Sequence, residues 1–144
     1  MKIGINRWTL PPALSLAECF RMAKRAGFDS IEINIAEDGE LRIDSDESSV
    51  RSIVRSAKDA GIELSSLSTG LGWRYPLASP DPATRDKAEA IVRKSLEVAN
   101  WMGVDTILVV PGVANADNAY DEVYERAQAA LKGLAAEEIG RAHV

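Results

Sequence analysis

A helix exit that recurs three times constrains this chain more than any other feature. Ala26-Gly27-Phe28-Asp29-Ser30-Ile31, Ala60-Gly61-Ile62-Glu63-Leu64 and Met102-Gly103-Val104-Asp105-Thr106-Ile107 each put a glycine between an amphipathic stretch and an apolar run. Glycine just past a helix takes the left-handed conformation cheaply and lets the chain turn back into a strand. The distances between these glycines suit successive βαβ units of roughly 30 or more residues. The last exit opens the run Thr106 to Val110, which has no polar face, as expected of a parallel strand covered on both sides, and Pro111-Gly112 stops it.

The stretches between the exits fill in the rest. Lys2 to Asn6 reads as a first strand, left by the loop Arg7 to Pro12. Ser15-Leu16-Ala17-Glu18 is a capping box, and Leu16, Cys19, Phe20 and Ala23 then share one helical face. Ser30 to Ile35 alternates, with three isoleucines on one face and Glu32 and Asn34 on the other. After an acidic, turn-like segment from Ala36 to Asp46, a second helix carries Val50, Ile53, Val54 and Ala57 inward. Ile62 to Ser68 is the third strand, and Gly70 to Pro82 is a long loop of the kind that is functional or mobile. Asp81-Pro82 begins a third helix, with Ala88, Ile91, Val92, Ser95, Ala99 and Met102 inward. A fourth carries Tyr120, Val123, Tyr124, Ala127, Leu131 and Leu134. Cys19, Tyr120 and Tyr124 are expected in the core, and Trp101, near a helix end, in packing.

The order βαβαβαβα without a hairpin signal predicts a parallel α/β fold with right-handed crossovers. Its sheet is either open and doubly wound or part of a (β/α) barrel, and a glutamate inside a strand, Glu32, favours the barrel. A net charge of −5 argues against a nucleic-acid surface. No apolar run reaches the roughly 20 residues of a membrane span, and no signal-peptide pattern leads the chain, so the cytoplasm is the default location. One cysteine allows neither an internal disulfide nor a cysteine metal cluster. With His143 the only histidine, no Ser-His-Asp arrangement is available, and Asn6-Arg7-Trp8 stands where a glycine-rich phosphate loop would follow strand one.

Five pieces in register carry a resemblance: residues 2–10, residues 26–34, Gly61 to Leu67, Trp73 to Ser79, and Gly103 to Gly112. Together they resemble the sugar phosphate isomerase/epimerase family of xylose isomerase-like TIM barrels, over about residues 1 to 135, and within it the ketose-phosphate 3-epimerases and hexulose-phosphate isomerases most. The resemblance implies the first four units of a (β/α)8 TIM barrel, a truncated half barrel over residues 1–137. It implies a parent that moves a proton next to a ketose carbonyl through an enediolate. A divalent metal (Mn, Mg, Co or Zn) in the parent is implied on two Glu, an Asp and a His of later strands. None of those positions lies in this sequence, nor does the usual phosphate site near strands seven and eight. The fragment alone is therefore expected to hold no metal, to contain no catalytic residue and to be inactive.

The candidate residues for a sugar or sugar phosphate each keep two readings. Glu32 projects into a barrel to bind a substrate hydroxyl or support a metal shell, or it forms a structural ion pair there. Asn6 and Trp8 end strand one, where Trp8 is a wall for the sugar or a cap on the core. Ser66, Ser68 and Thr69 donate to hydroxyls or form a turn. Trp73, Arg74 and Tyr75 make a loop cluster: Arg74 matches phosphate geometry or is a plain surface arginine, and Tyr75-Pro76 suits a lid. Pro111 and Gly112 permit close backbone approach or merely stop the strand.

Two rival readings remain. One is a complete open-sheet α/β module that binds a small molecule or partner without catalysis. The other is the DNA-repair endonuclease branch of the same barrel, disfavoured by the acidic charge and by the lack of histidines on strands two and three. Open apolar edges on strands one and four predict self-association. The tail 138–144 can be spelled in codons by a common sequencing adapter and is expected to be non-native, against the alternative of a helix exit at Gly140.

Overall fold

A computed structural model describes residues 1–141, with side chains through Ala136. His143 and the rest of the tail beyond Arg141 lie outside the described residues. The chain divides into two compact units, Met1–Thr69 with Glu97–Leu108, and Gly70–Leu96 with the residues from Val109 onward.

The first unit is built on a parallel sheet in the order β1 (Gly4–Asn6), β2 (Ser30–Ile35), β3 (Glu63–Thr69). Crossover helices α1 (Leu16–Arg25) and α2 (Glu47–Asp59) join consecutive strands. The capping box at the start of α1 forms as expected: Glu18 N–H donates to Ser15 Oγ, and Ser15 N–H donates back to Glu18 Oε2 at 2.8 Å. Gly27, Gly61 and Gly103 all take positive φ, between 71° and 91°, which ends each helix and aims the chain at its strand.

Alternation then sorts the side chains. Ile31, Ile33 and Ile35 are buried with Leu16, Cys19, Phe20 and Ala23 of α1 and Val50 and Ala57 of α2. Ile53 and Val54 pack at the margin of this core, as do Trp101 and Ile107. Glu32 and Asn34 take the opposite face of β2, where Asn6 and Ser66 stand beside Glu32 and Ser68 beside Asn34.

The register between β2 and β3 slips once, between Ile31 and Glu32: Ile31 pairs with Leu64 but Glu32 pairs with Ser66, leaving Ser65 extra. This β-bulge has a cause in the sequence. Leu64 and Leu67 are three residues apart, and strict alternation would send them to opposite faces. With Ser65 looped out, both join the same core.

The predicted fourth strand is shorter than expected. Leu67 N–H donates to Thr106 O at 3.1 Å and Leu108 N–H donates to Leu67 O at 2.8 Å, a single parallel bridge at Ile107. The run does not continue as strand to Val110. Pro111 has no N–H to extend a ladder, and its carbonyl accepts instead from Ala78 N–H at 2.8 Å.

In the second unit the expected long loop contains a one-turn helix, α3 (Leu71–Arg74), ahead of α4 (Pro82–Met102), whose last residues return to the first unit. Asp81 caps α4, accepting from Thr84 N–H at 2.9 Å. All six residues expected to face inward on α4 are buried. On α5 (Tyr120–Arg141) the expectation holds for Val123, Ala127 and Leu134 but not for the tyrosines or Leu131. Tyr120 and Tyr124 are exposed and stack on each other with ring centroids 6.2 Å apart.

Candidate functional site

From the carboxyl end of β1 across the middle of β2 and β3 the sheet presents a row of polar side chains, Asn6–Glu32–Ser66, at matched register positions. Asn6 Nδ2 donates to Glu32 Oε1, and Ser66 Oγ donates to Glu32 Oε2 at 2.7 Å. The other end of the Asn6 amide, Oδ1, accepts from Trp8 N–H at 2.7 Å, so one asparagine ties the carboxylate to the turn that carries the tryptophan. Glu32 is thus held by neutral donors, and the structural ion pair left open by the sequence does not form among the described residues. Each carboxylate oxygen keeps a lone pair for a further donor. Two residues on, Asn34 Nδ2 donates to Ser68 Oγ at 2.5 Å, while Asn34 Oδ1 is enclosed without a partner. Thr69 donates to Ile35 O at 2.9 Å, a bond that ties β3 to β2.

Beside this row lies a cleft of about 290 Å³. The turn after β1 supplies Arg7 and Trp8, β2 supplies Asn34, and the loop after β2 supplies Asp38, Gly39 and Glu40. Trp8 is 56 % exposed, so it walls the cleft and does not cap the core. Ala36 N–H bonds to Leu41 O at 3.1 Å and Ile43 N–H to Ala36 O at 2.9 Å, closing the loop, and Gly39 turns its tip at φ 88°. Sequence reasoning singled out none of Asn34, Asp38 or Glu40. The signals were there: Asn34 shares the face of Glu32 by alternation, and Asp38-Gly39 is a turn dipeptide.

The remaining candidates belong to the second unit. Trp73 is 67 % exposed. Tyr75 lies under two cations, the Arg74 guanidinium 5.1 Å and the Lys87 ammonium 3.7 Å from its ring centroid. Pro111 and Gly112 serve close packing: a Cβ at Gly112 would stand 2.8 Å from Ala78 Cβ. Arg126 on α5 fixes the same segment by donating to Ala78 O at 2.9 Å and to Asn118 Oδ1.

Among the described residues no three His, Cys, Asp or Glu side chains are grouped as a metal ion needs. The donors present do not fit the divalent metal of the resembled family. No described helix is long and apolar enough to cross a membrane. What the row and cleft can do is accept and orient hydroxyl groups.

Comparison with known proteins bears on the family and the fold. The family described as xylose isomerase-like TIM barrels matches residues 20–142. An L-ribulose-5-phosphate 3-epimerase of Salmonella paratyphi B is 30% identical over 127 residues, covering 87% of this chain and 42% of the relative. The enzyme of the same name from Shigella flexneri is 28% identical over 127 residues, again 87% and 42%. A crystal structure of D-psicose 3-epimerase in the presence of D-fructose superposes with a TM-score of 0.74 at 22% identity, covering 96% of this chain and 50% of that one. That likeness is one of fold. The chain spans less than half the length of these curated relatives and about half of that solved structure.

Proposed function

The chain belongs to the family of xylose isomerase-like TIM barrels, and from that membership we propose that it is the substrate-holding half of a sugar or sugar-phosphate epimerase or isomerase. Its three-stranded parallel sheet with crossover helices supplies consecutive units of the barrel wall. Active sites of such barrels sit at the carboxyl ends of the strands; Asn6 closes β1 at that end, and Glu32 and Ser66 stand beside it midway along β2 and β3. The observation that carries the proposal is the Glu32 carboxylate, positioned by two neutral side chains and offering its remaining lone pairs to a sugar hydroxyl.

The reaction is proton transfer next to a ketose carbonyl, through an enediolate. Such chemistry needs an acid–base pair and a substrate fixed against it. In this proposal the residues described here fix the substrate. The acid–base pair and the ligands of any divalent metal belong to further βα units of a longer polypeptide. In the second unit, Trp73, Arg74 and Tyr75 are assigned to substrate enclosure and Pro111 and Gly112 to shaping the turn they approach.

The test is isotope exchange. The polypeptide encoded by the complete reading frame around these residues is incubated in D2O with ketoses and ketose phosphates and followed by NMR. Deuterium is expected at the carbon next to the carbonyl, with none from residues 1–144 alone. A full-length product that exchanges no such proton with any ketose overturns the proposal.

A further inference from the structure

Where α1 meets α2 at the surface, another hollow opens, of about 430 Å³. α1 supplies Arg21, and α2 supplies Ser52, Arg55, Ser56 and Asp59, with Ala60 at the helix end. The α2 residues stand at i, i+3, i+4 and i+7, so one face of the helix turns all four into the hollow.

The fold uses neither guanidinium. Among the described residues Arg21 and Arg55 donate no hydrogen bond and form no ion pair, whereas Arg7, Arg42, Arg51, Arg85, Arg93 and Arg126 each donate to an oxygen of the chain. The Ser52 and Ser56 hydroxyls are equally unused among the described residues, while Ser95 on α4 returns its hydroxyl to Ile91 O at 2.9 Å. The acids of the two helices do not neutralise these arginines. Glu18 is held in the Ser15 cap, and Glu47 accepts from Arg51 at 2.7 Å. Asp59 lies about 10 Å beyond Ser52 along the helix axis and pairs with neither arginine. The exposed faces of α1 and α2 thus carry Arg21, Lys24, Arg25, Arg51, Arg55 and Lys58 against Glu18, Glu47 and Asp59, in a chain whose net charge is −5.

Two like charges lining one hollow repel each other unless an anion lies between them. A guanidinium fork matches phosphate oxygens in pairs, and serine hydroxyls supply donors to the oxygens left over. We infer that this hollow is a binding site for a phosphate group, as the free ion or as a monoester, with Arg21 and Arg55 its charged donors and Ser52 and Ser56 its hydroxyl donors. The helices and the buried isoleucines of β2 separate it from the Asn6–Glu32–Ser66 row on the other face of the sheet. It is therefore no part of the proposed substrate site, and it stands or falls independently of the proposed function.

The test is an NMR titration of the isotope-labelled chain at constant ionic strength, with inorganic phosphate, glycerol 3-phosphate and sodium chloride in separate arms. The two phosphates are expected to shift the Arg21 and Arg55 side-chain N–H signals saturably, and sodium chloride to leave them in place. Tighter binding of inorganic phosphate identifies the free ion as ligand, and tighter binding of glycerol 3-phosphate identifies a monoester. Arg21→Gln and Arg55→Gln should each weaken binding about tenfold, the size of one charge-assisted hydrogen bond, and Asp59→Asn should tighten it. Arg51→Gln, on the same helix but bonded to Glu47, should leave it unchanged. All four positions are exposed, so the variants keep the fold. No saturable shift from either phosphate, shifts that sodium chloride reproduces, or an Arg51→Gln loss as large as that of Arg55→Gln overturns the inference.

Discussion

Ser66 donates its hydroxyl to Glu32 Oε2 at 2.7 Å, and that bond exists because Ser65 is surplus to the β2–β3 register. One looped-out serine puts Leu67 into the core and Ser66 beside the carboxylate in a single step. Deleting Ser65 leaves Leu64, Ser66 and Leu67 in strict alternation, which keeps both outcomes without the slip. The deletion variant is therefore expected to retain cooperative urea unfolding, as is Ser65→Ala, which keeps the bulge. A deletion variant that no longer unfolds cooperatively would show that the bulge itself is required.

Removing only the donor is a milder change. Ser66→Ala leaves Glu32 with Asn6 as its remaining side-chain partner, and the site is half-buried. A loss of about 1 kcal/mol is expected, near the lower end for hydrogen bonds to charged groups because solvent reaches the site. The urea midpoint should fall with an unchanged slope.

The core makes a larger claim. Ile33 is fully buried at the centre of β2 among α1 and α2 side chains. Ile33→Val should cost about 1 kcal/mol and Ile33→Ala about 2–5 kcal/mol, the latter enough to unfold a marginal chain. Equal midpoints for the two variants would mean that the helices do not close on the sheet at this point.

Acid should loosen helix ends before it reaches the core. The Ser15 hydroxyl and backbone N–H hold the Glu18 carboxyl below its ordinary range, and the Thr84 hydroxyl and backbone N–H do the same for Asp81. A carboxyl with a lowered folded-state pKa adds stability above its unfolded-state pKa and loses it as pH falls through the folded-state value. The destabilisation caused by Ser15→Ala, measured by thermal melts, is therefore expected to be full at pH 7. It should shrink below about pH 4, where unperturbed carboxylates protonate. A penalty independent of pH would mean that Glu18 does not take part in the cap.

Much of this architecture was legible because it is local. The three glycine exits, the Ser15 and Asp81 caps and the alternation of β2 each follow from backbone geometry within a few residues, and all are present. The fourth strand was over-read because an apolar run specifies burial, while a strand also needs a partner for its backbone and a residue after it that can donate. Tyr120 and Tyr124 were misplaced for a related reason: periodicity marks the α5 stripe but not which turns of it meet the rest of the chain. Glu32 was found from its face alone. Its partners were not, because which serine faces it depends on a one-residue slip that only the Leu64–Leu67 spacing betrays. Alternation places Asn34 on the face of Glu32, but nothing local shows that its carbonyl is enclosed without a donor.

The sheet border supplies the last prediction. Leu108 is 48 % exposed in the segment that adds one bridge to β3, and among the described residues nothing pairs with the outer side of that segment. An exposed apolar edge with free backbone groups recruits another chain. Residues 1–144 are accordingly expected to self-associate at micromolar concentration in sedimentation velocity. Leu108→Lys should raise the monomer fraction, because a lysine on an edge opposes pairing while adding nothing to the interior. Ile33→Val serves as the control: a core change of similar modesty should lower the melting temperature without moving the monomer fraction. A parent that sediments as a single monomeric species would mean that this border is already protected by the chain itself.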